Sequence, residues 1–197
     1  MIGLFTKNID GVWFGAACDE QRVFVTSFAH TVQDVLRGLL ESVPFEVPFE
    51  AFPKPSPLAE KVFTSLKSVY DGKGTKLTLP LAPEHLTPYN VKVLEVCSLI
   101  PVGYVASYSA VAKAAGGGAR SVGRVMAANP FAPLVPCHRV VKSDFTLGGY
   151  GGGLNVKAEL LAREKRGYKS REDIPVDSKR LRVFPVEFAL EKLRAKK

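Results

Sequence analysis

Positions 137–139 place a thiol, an imidazole and a guanidinium side by side, within the stretch FAPLVPCHRVVKSDF that spans residues 131–145. A free cysteine ionises near pH ~8.5, so nucleophilic use at neutral pH needs a base, and the base needs a group that orients it. His138 is the adjacent base. On an extended segment neighbouring side chains point to opposite faces, so a contact between Cys137 and His138 requires a turn or a bridging water. Spacing leaves the orienting acid open among Glu164, Glu159 and Asp144. The competing fate for Cys137 is that of most free cysteines, a small buried hydrophobe. A metal centre would have to draw on Cys18, His30, His85, Cys97, Cys137 and His138. None of these forms a CxxC or HxxxH pair, and no metal site is expected.

The flanking segments must position this thiol. Upstream, Thr87-Pro88 is an N-cap followed by an N1 proline and opens a helix over YNVKVLEVCSLI, where Cys97 falls beside Val93, Leu94 and Ile100 as core. Ser107 caps a short helix that stops at Gly116-Gly117-Gly118, and a second runs from Ala119 to the Asn129-Pro130 break. Two short helices joined by a glycine turn predict a helix-turn-helix. The second carries Ala119, Arg120, Ser121, Gly123 and Arg124, with no Asn or Gln to read base edges. That composition predicts close DNA contact of low sequence specificity. Downstream, Gly148, Gly149, Gly151, Gly152 and Gly153 surround Tyr150, which predicts an unusual backbone path against a flat ligand. No GxxxxGK[ST] pattern accompanies them, so a nucleotide-phosphate loop is not expected. Asn155 is placed to cap the next helix, whose apolar face includes Val156, Leu160 and Leu161 and which Gly167 closes.

The N-terminal part alternates like a small α/β unit. VWFGAACDEQRVFVTSFA reads as a β-hairpin, TVQDVLRGLLESV and PLAEKVFTSLKSVYDG as helices, VPFEVPFEAFPKPSP as irregular and TKLTLPL as a last strand. The expected class is α/β in two domains. Residues 1–80 form a small N-terminal α/β domain and 81–87 a linker. Residues 88–170 form a mostly helical domain with the helix-turn-helix and the active-site loop, and 171–197 a basic extension with an amphipathic helix.

Charge divides unevenly. The formal net charge is +8, yet residues 1–78 hold 8 basic and 9 acidic side chains, while residues 79–197 hold 19 and 10. The excess positive charge therefore accompanies the Cys-His pair and points to a polyanion, nucleic acid ahead of membrane. No apolar run is long enough to span a bilayer and the N-terminus lacks a signal-peptide pattern, so a cytoplasmic protein is expected. Three widely spaced cysteines cannot make a disulfide framework.

Pro136-Cys137-His138-Arg139-Val140 is preceded by Asn129-Pro130 and followed by Gly149-Tyr150-Gly151-Gly152-Gly153-Leu154 and a helix ending Leu161-Ala162-Arg163-Glu164. In this order, over residues 88–167, the chain resembles the O6-alkylguanine-DNA alkyltransferases. The resemblance implies that Cys137 takes the alkyl group irreversibly from O6 of guanine, and from O4-alkylthymine too, as a thioether. It implies that His138, held by Glu164, acts as base through a water, that Asn129 braces the turn, and that Tyr108 donates to guanine N3. Tyr150 would wall the pocket beside the Gly151 amide. The Val140 and Cys137 carbonyls would accept from the exocyclic amine, and Met126 would pack on the base. Gly151 stands where some relatives carry a hydroxyl residue, which implies a roomier pocket.

The same resemblance implies double-stranded DNA as partner, with the damaged nucleotide flipped out. The helix from Ala119 through Ser121 would lie in the minor groove, Arg120 would fill the gap in the stack, and Arg124 with the tail lysines would meet phosphates. It implies a single-turnover, monomeric enzyme without cofactor. The rival classes are a non-catalytic helix-turn-helix regulator, weakened by the missing base readers, and a cysteine hydrolase, for which an adjacent Cys-His pair is unusual.

Overall fold

The first strands follow from an alternating apolar pattern interrupted by two tight turns. In a computed structural model that describes residues 1–74 and 78–195, β1 (Ile2–Ile9), β2 (Val12–Cys18) and β3 (Val23–Ala29) form an antiparallel meander. The expected hairpin is β2–β3. The sequence reading did not anticipate β1, which joins β2 through Asp10-Gly11, both at positive φ (53° and 80°) as a two-residue hairpin turn requires. A short strand, β4 (Phe49–Ala51), adds parallel to β1 inside the segment read as irregular. Helices α1 (Val32–Leu40) and α2 (Pro57–Tyr70) occupy the expected places. The sheet order is β3-β2-β1-β4, and α1 buries Val35 and Leu39 in a core with Ile2, Leu4, Phe24 and Val25. Of the expected TKLTLPL strand, Thr75 to Leu77 lie outside the described residues, and the remainder makes a single bridge from Leu81 to Val23.

By its internal contacts the chain divides into two units, the first comprising residues 1–70, 74–86 and 130–134, the second residues 71–73, 87–129 and 135–197. The division differs from the sequence reading in several places: residues 71–73 go with the second unit and 81–86 of the expected linker with the first. Pro130–Leu134 joins the first unit, because the Thr26 amide donates to the Pro130 carbonyl (2.8 Å) and the Thr26 hydroxyl to Ala132 (2.9 Å). The stretch after residue 171 is not an appendage but part of the second unit.

In that second unit Thr87 caps α3 (Pro88–Ser98), as its spacing predicts. Strand β5 (Tyr104–Ser107) runs into α4 (Tyr108–Ala115), capped by Ser107. The turn Gly116-Gly117, at φ 95° and 81°, leads to α5 (Ala119–Ala127), completing the helix-turn-helix. After Cys137 come β6 (Val140–Val141) and α6 (Leu154–Arg163), then the hairpin β7 (Glu172–Val176) and β8 (Lys179–Pro185), then α7 (Val186–Arg194). These strands make a second sheet of order β6-β5-β8-β7, an element the sequence reading lacked. The C-terminal piece is held by burial: Val186 and Ala189 pack with Val105, Val141, Leu147 and Leu161. Asn155 does not cap α6; Gly153, at φ 89°, occupies that position without a side-chain bond.

Candidate active site

Cys137, His138 and Arg139 form one turn of 3₁₀ helix rather than an extended segment, closed by the Arg139 amide donating to the Pro136 carbonyl at 2.9 Å. His138 and Glu164 are fully buried, with His138 Nε2 2.8 Å from Glu164 Oε1. Arg139 grips the same carboxylate, Nε to Oε2 at 2.9 Å and Nη2 to Oε1 at 2.9 Å, and donates to the Ile100 carbonyl at 2.6 Å. Burial alone would raise the Glu164 pKa; its bonds to His138 and Arg139 outweigh that and bring it to about 2. Burial lowers the His138 pKa, with Arg139 and Lys157 acting in the same direction against Glu164, so the ring is neutral near pH ~7. A neutral ring facing a carboxylate keeps its proton on Nε2. Nδ1 is then a lone-pair acceptor, and it is buried with no hydrogen-bond partner among the described residues.

Cys137 is 5% exposed. Burial pushes its thiol pKa up, while a hydrogen bond from the Asn129 side chain and the charge of Lys157 pull it down. Asn129 Nδ2 also donates to the Val135 carbonyl at 2.9 Å, bracing the backbone just ahead of the turn.

The thiol opens on a cavity of about 550 Å³, a volume that accommodates a purine. Its walls include Tyr108, Met126, Tyr150 and Gly151, with Ala119 and Arg120 contributed by the second helix of the helix-turn-helix. Gly148 has φ 69°, and a Cβ there would lie 2.8 Å from the Tyr108 ring, so glycine allows the loop backbone to rest on that ring. Tyr108 Oη donates to the Gly149 carbonyl at 3.4 Å. Burial raises the pKa of both Tyr108 and Tyr150, keeping both phenols protonated and able to donate. A Cβ on Gly151 would meet nothing within 4 Å, so the loop leaves open space there.

The structure separates the three candidate acids. Glu164 reaches His138, whereas Glu159 lies 3.9 Å from Arg163 and Asp144 binds the Thr146 hydroxyl at 2.7 Å, both on the surface. Ser121 and Arg124 lie on α5 but do not line the cavity, and Val140 is buried behind it. Among the described residues no three His, Cys, Asp or Glu side chains converge as metal ligands. No described helix is long and apolar enough to cross a membrane.

Two residues escaped the sequence reading. One is Arg139, whose neighbours in the motif drew the attention. The other is Lys157, which is fully buried and donates to the carbonyls of Val140 (2.6 Å), Leu147 (2.6 Å) and Gly149 (3.2 Å). Burial brings its pKa down to about 8. The signal was present: Lys157, Leu160, Leu161 and Glu164 fall at i, i+3, i+4 and i+7, the buried stripe of α6.

Residues 88–166 match the family described as 6-O-methylguanine DNA methyltransferase, DNA binding domain. A methylated-DNA–protein-cysteine methyltransferase of Pyrobaculum aerophilum is 57% identical over 65 residues, 33% of this chain and 44% of that relative. The sequence match to this curated relative thus spans under half of its length. The crystal structure of an O6-methylguanine-DNA methyltransferase from the hyperthermophilic archaeon Pyrococcus kodakaraensis superposes with a TM-score of 0.62 at 30% identity, covering 83% of this chain and 99% of that one. The Mycobacterium tuberculosis protein OGT, solved in complex with DNA, gives a TM-score of 0.65 at 25% identity, covering 82% of this chain and 92% of that one. The chain belongs to the O6-methylguanine-DNA methyltransferase family.

Proposed function

We propose that this protein repairs DNA directly, taking the alkyl group from O6 of guanine, or O4 of thymine, onto Cys137 once per chain. The observation that carries the reading is Cys137 on the wall of a purine-sized cavity whose rim is the helix-turn-helix, backed by half-buried Asn129 and the buried pair His138 and Glu164. The alkyl carbon is inaccessible within a duplex, so the nucleotide leaves the stack and enters the cavity. Arg120 takes its place, and α5, with Ala119 and Ser121 at its start, lies in the minor groove. Small side chains there suit binding without sequence preference, and Arg124 meets phosphate.

The thiol proton passes to His138 Nδ1 through one water, and Glu164 and Arg139 hold the ring that receives it. The sulfur attacks the alkyl carbon; an S–C bond forms as the C–O bond breaks, and the electron pair leaves on the guanine. Tyr108 donates to the base as that charge develops. Tyr150 and Met126 pack on the ring, the Gly151 amide sits near O6, and the Cys137 carbonyl accepts from the exocyclic amine, while the Val140 carbonyl is taken by Lys157. A thioether is a poor leaving group, so the chain is consumed as a monomer in one event.

Incubation with a duplex containing O6-methylguanine, followed by peptide mass mapping, tests the reading. The peptide bearing Cys137 gains the mass of one methylene; a gain on any other peptide, or none, overturns it.

A further inference from the structure

The glycine loop has a second concave face. Between α6 and α7, bordered by the same loop as the base cavity, lies a groove of about 1170 Å³. Its floor is apolar, with Leu154, Ala158 and Leu190 among its residues. Its rim carries four cations: Lys142, Lys165, Lys192 and Arg194. All four are exposed, and none forms a salt bridge among the described residues, although Asp144 feels the charge of Lys142. The one acid on the rim, Glu159, lies beside Arg163. Lys142, Gly148, Gly149 and Tyr150 line both this groove and the base cavity, so the two border the same loop. The half supplied by α7 lies beyond the residues that match the family, 88–166.

We propose that this groove binds the DNA backbone flanking the flipped nucleotide, with the four cations on its phosphates and its apolar floor against the sugars. The inference rests on the repair reading, which places the nucleotide in the adjoining cavity. Three observations favour DNA over an acidic peptide or an anionic membrane. The groove borders the same glycine loop as that cavity, Lys142 lines both, and the rim charge is almost entirely of one sign. The C-terminal hairpin and helix then have a task, which is to extend the DNA contact beyond the helix-turn-helix.

The test is the salt dependence of binding to an O6-methylguanine duplex, compared between the full chain and its Lys192→Ala/Arg194→Ala variant. Both positions are exposed at the end of α7, so the fold is retained. The slope of log K against log salt is expected to flatten by about 1.8, roughly 0.9 per lost phosphate contact. The rate of alkyl transfer from the free base, which has no phosphates, stays unchanged. Lys54→Ala/Lys61→Ala in the first unit removes the same net charge from exposed positions and leaves the slope as it was. An unchanged slope in the α7 variant, or equal flattening in the control, overturns the groove while leaving repair intact. Failure of the unaltered chain to bind DNA at all overturns the repair reading as well.

Discussion

His138 Nε2 lies 2.8 Å from Glu164 Oε1, both side chains are fully buried, and Arg139 binds both oxygens of the same carboxylate. One carboxylate thus fixes the tautomer of the base and neutralises the guanidinium beside it. Glu164→Gln is expected to slow transfer to Cys137 by ~10²-fold or more, because the imidazolium formed by proton transfer loses its counter-charge. Single-turnover kinetics on a methylated duplex check this, and a rate within a factor of ~2 of the parent contradicts it.

The same carboxylate sets an acid limit on the fold. Its pKa is about 2, against an ordinary value of 4.5, so its stabilisation is complete above the ordinary value and is lost as pH falls towards the folded one. The loss amounts to roughly 3 kcal/mol. Urea unfolding at neutral pH and near pH ~3 should show this acid-side decline in the parent and a shallower one in Glu164→Gln.

Which parts were legible in advance depended on how local their cause is. Thr87 and Ser107 announce their helices because a cap needs only the next few residues. The helix-turn-helix was visible for the same reason, in its glycines. The second sheet was not, because β5 pairs with β6 and with β8, strands that lie more than thirty and more than seventy residues further along the chain. Within the site, Cys137 and His138 stood out by type. The 3₁₀ turn that makes their adjacency workable did not, and Lys157 was passed over because a lysine on a helix is ordinarily assigned to solvent.

Lys157 has no described carboxylate partner, and its charge lowers the thiol pKa of Cys137. Lys157→Met is expected to move the pH midpoint for alkylation of Cys137 by iodoacetamide upward. A purely structural lysine would leave that midpoint where it is, while Lys157→Arg, which keeps the charge, restores part of the shift.

Tyr108 sits on the cavity wall with its phenol protonated. Tyr108→Phe keeps the ring under Gly148 and removes the donor. The expected outcome is a ~10²-fold slower transfer step with DNA affinity nearly unchanged, measured as rate and binding on the same duplex. Equal losses in both would assign Tyr108 to binding rather than to the leaving base.

Arg120 is exposed on the first turn of α5 at the cavity mouth. Arg120→Ala should slow repair of a duplex lesion far more than reaction with free O6-benzylguanine, since only the duplex requires a nucleotide to be replaced in the stack. Equal slowing on both substrates argues against that role.

The most direct test of the central claim follows labelled methyl from O6-methylguanine in duplex DNA, with protein limiting and DNA in excess. Label on protein is expected to saturate at one per chain, all of it on Cys137, and Cys137→Ala to bind the DNA but acquire none. Label on the alanine variant, or methyl removed beyond one per chain, would contradict it.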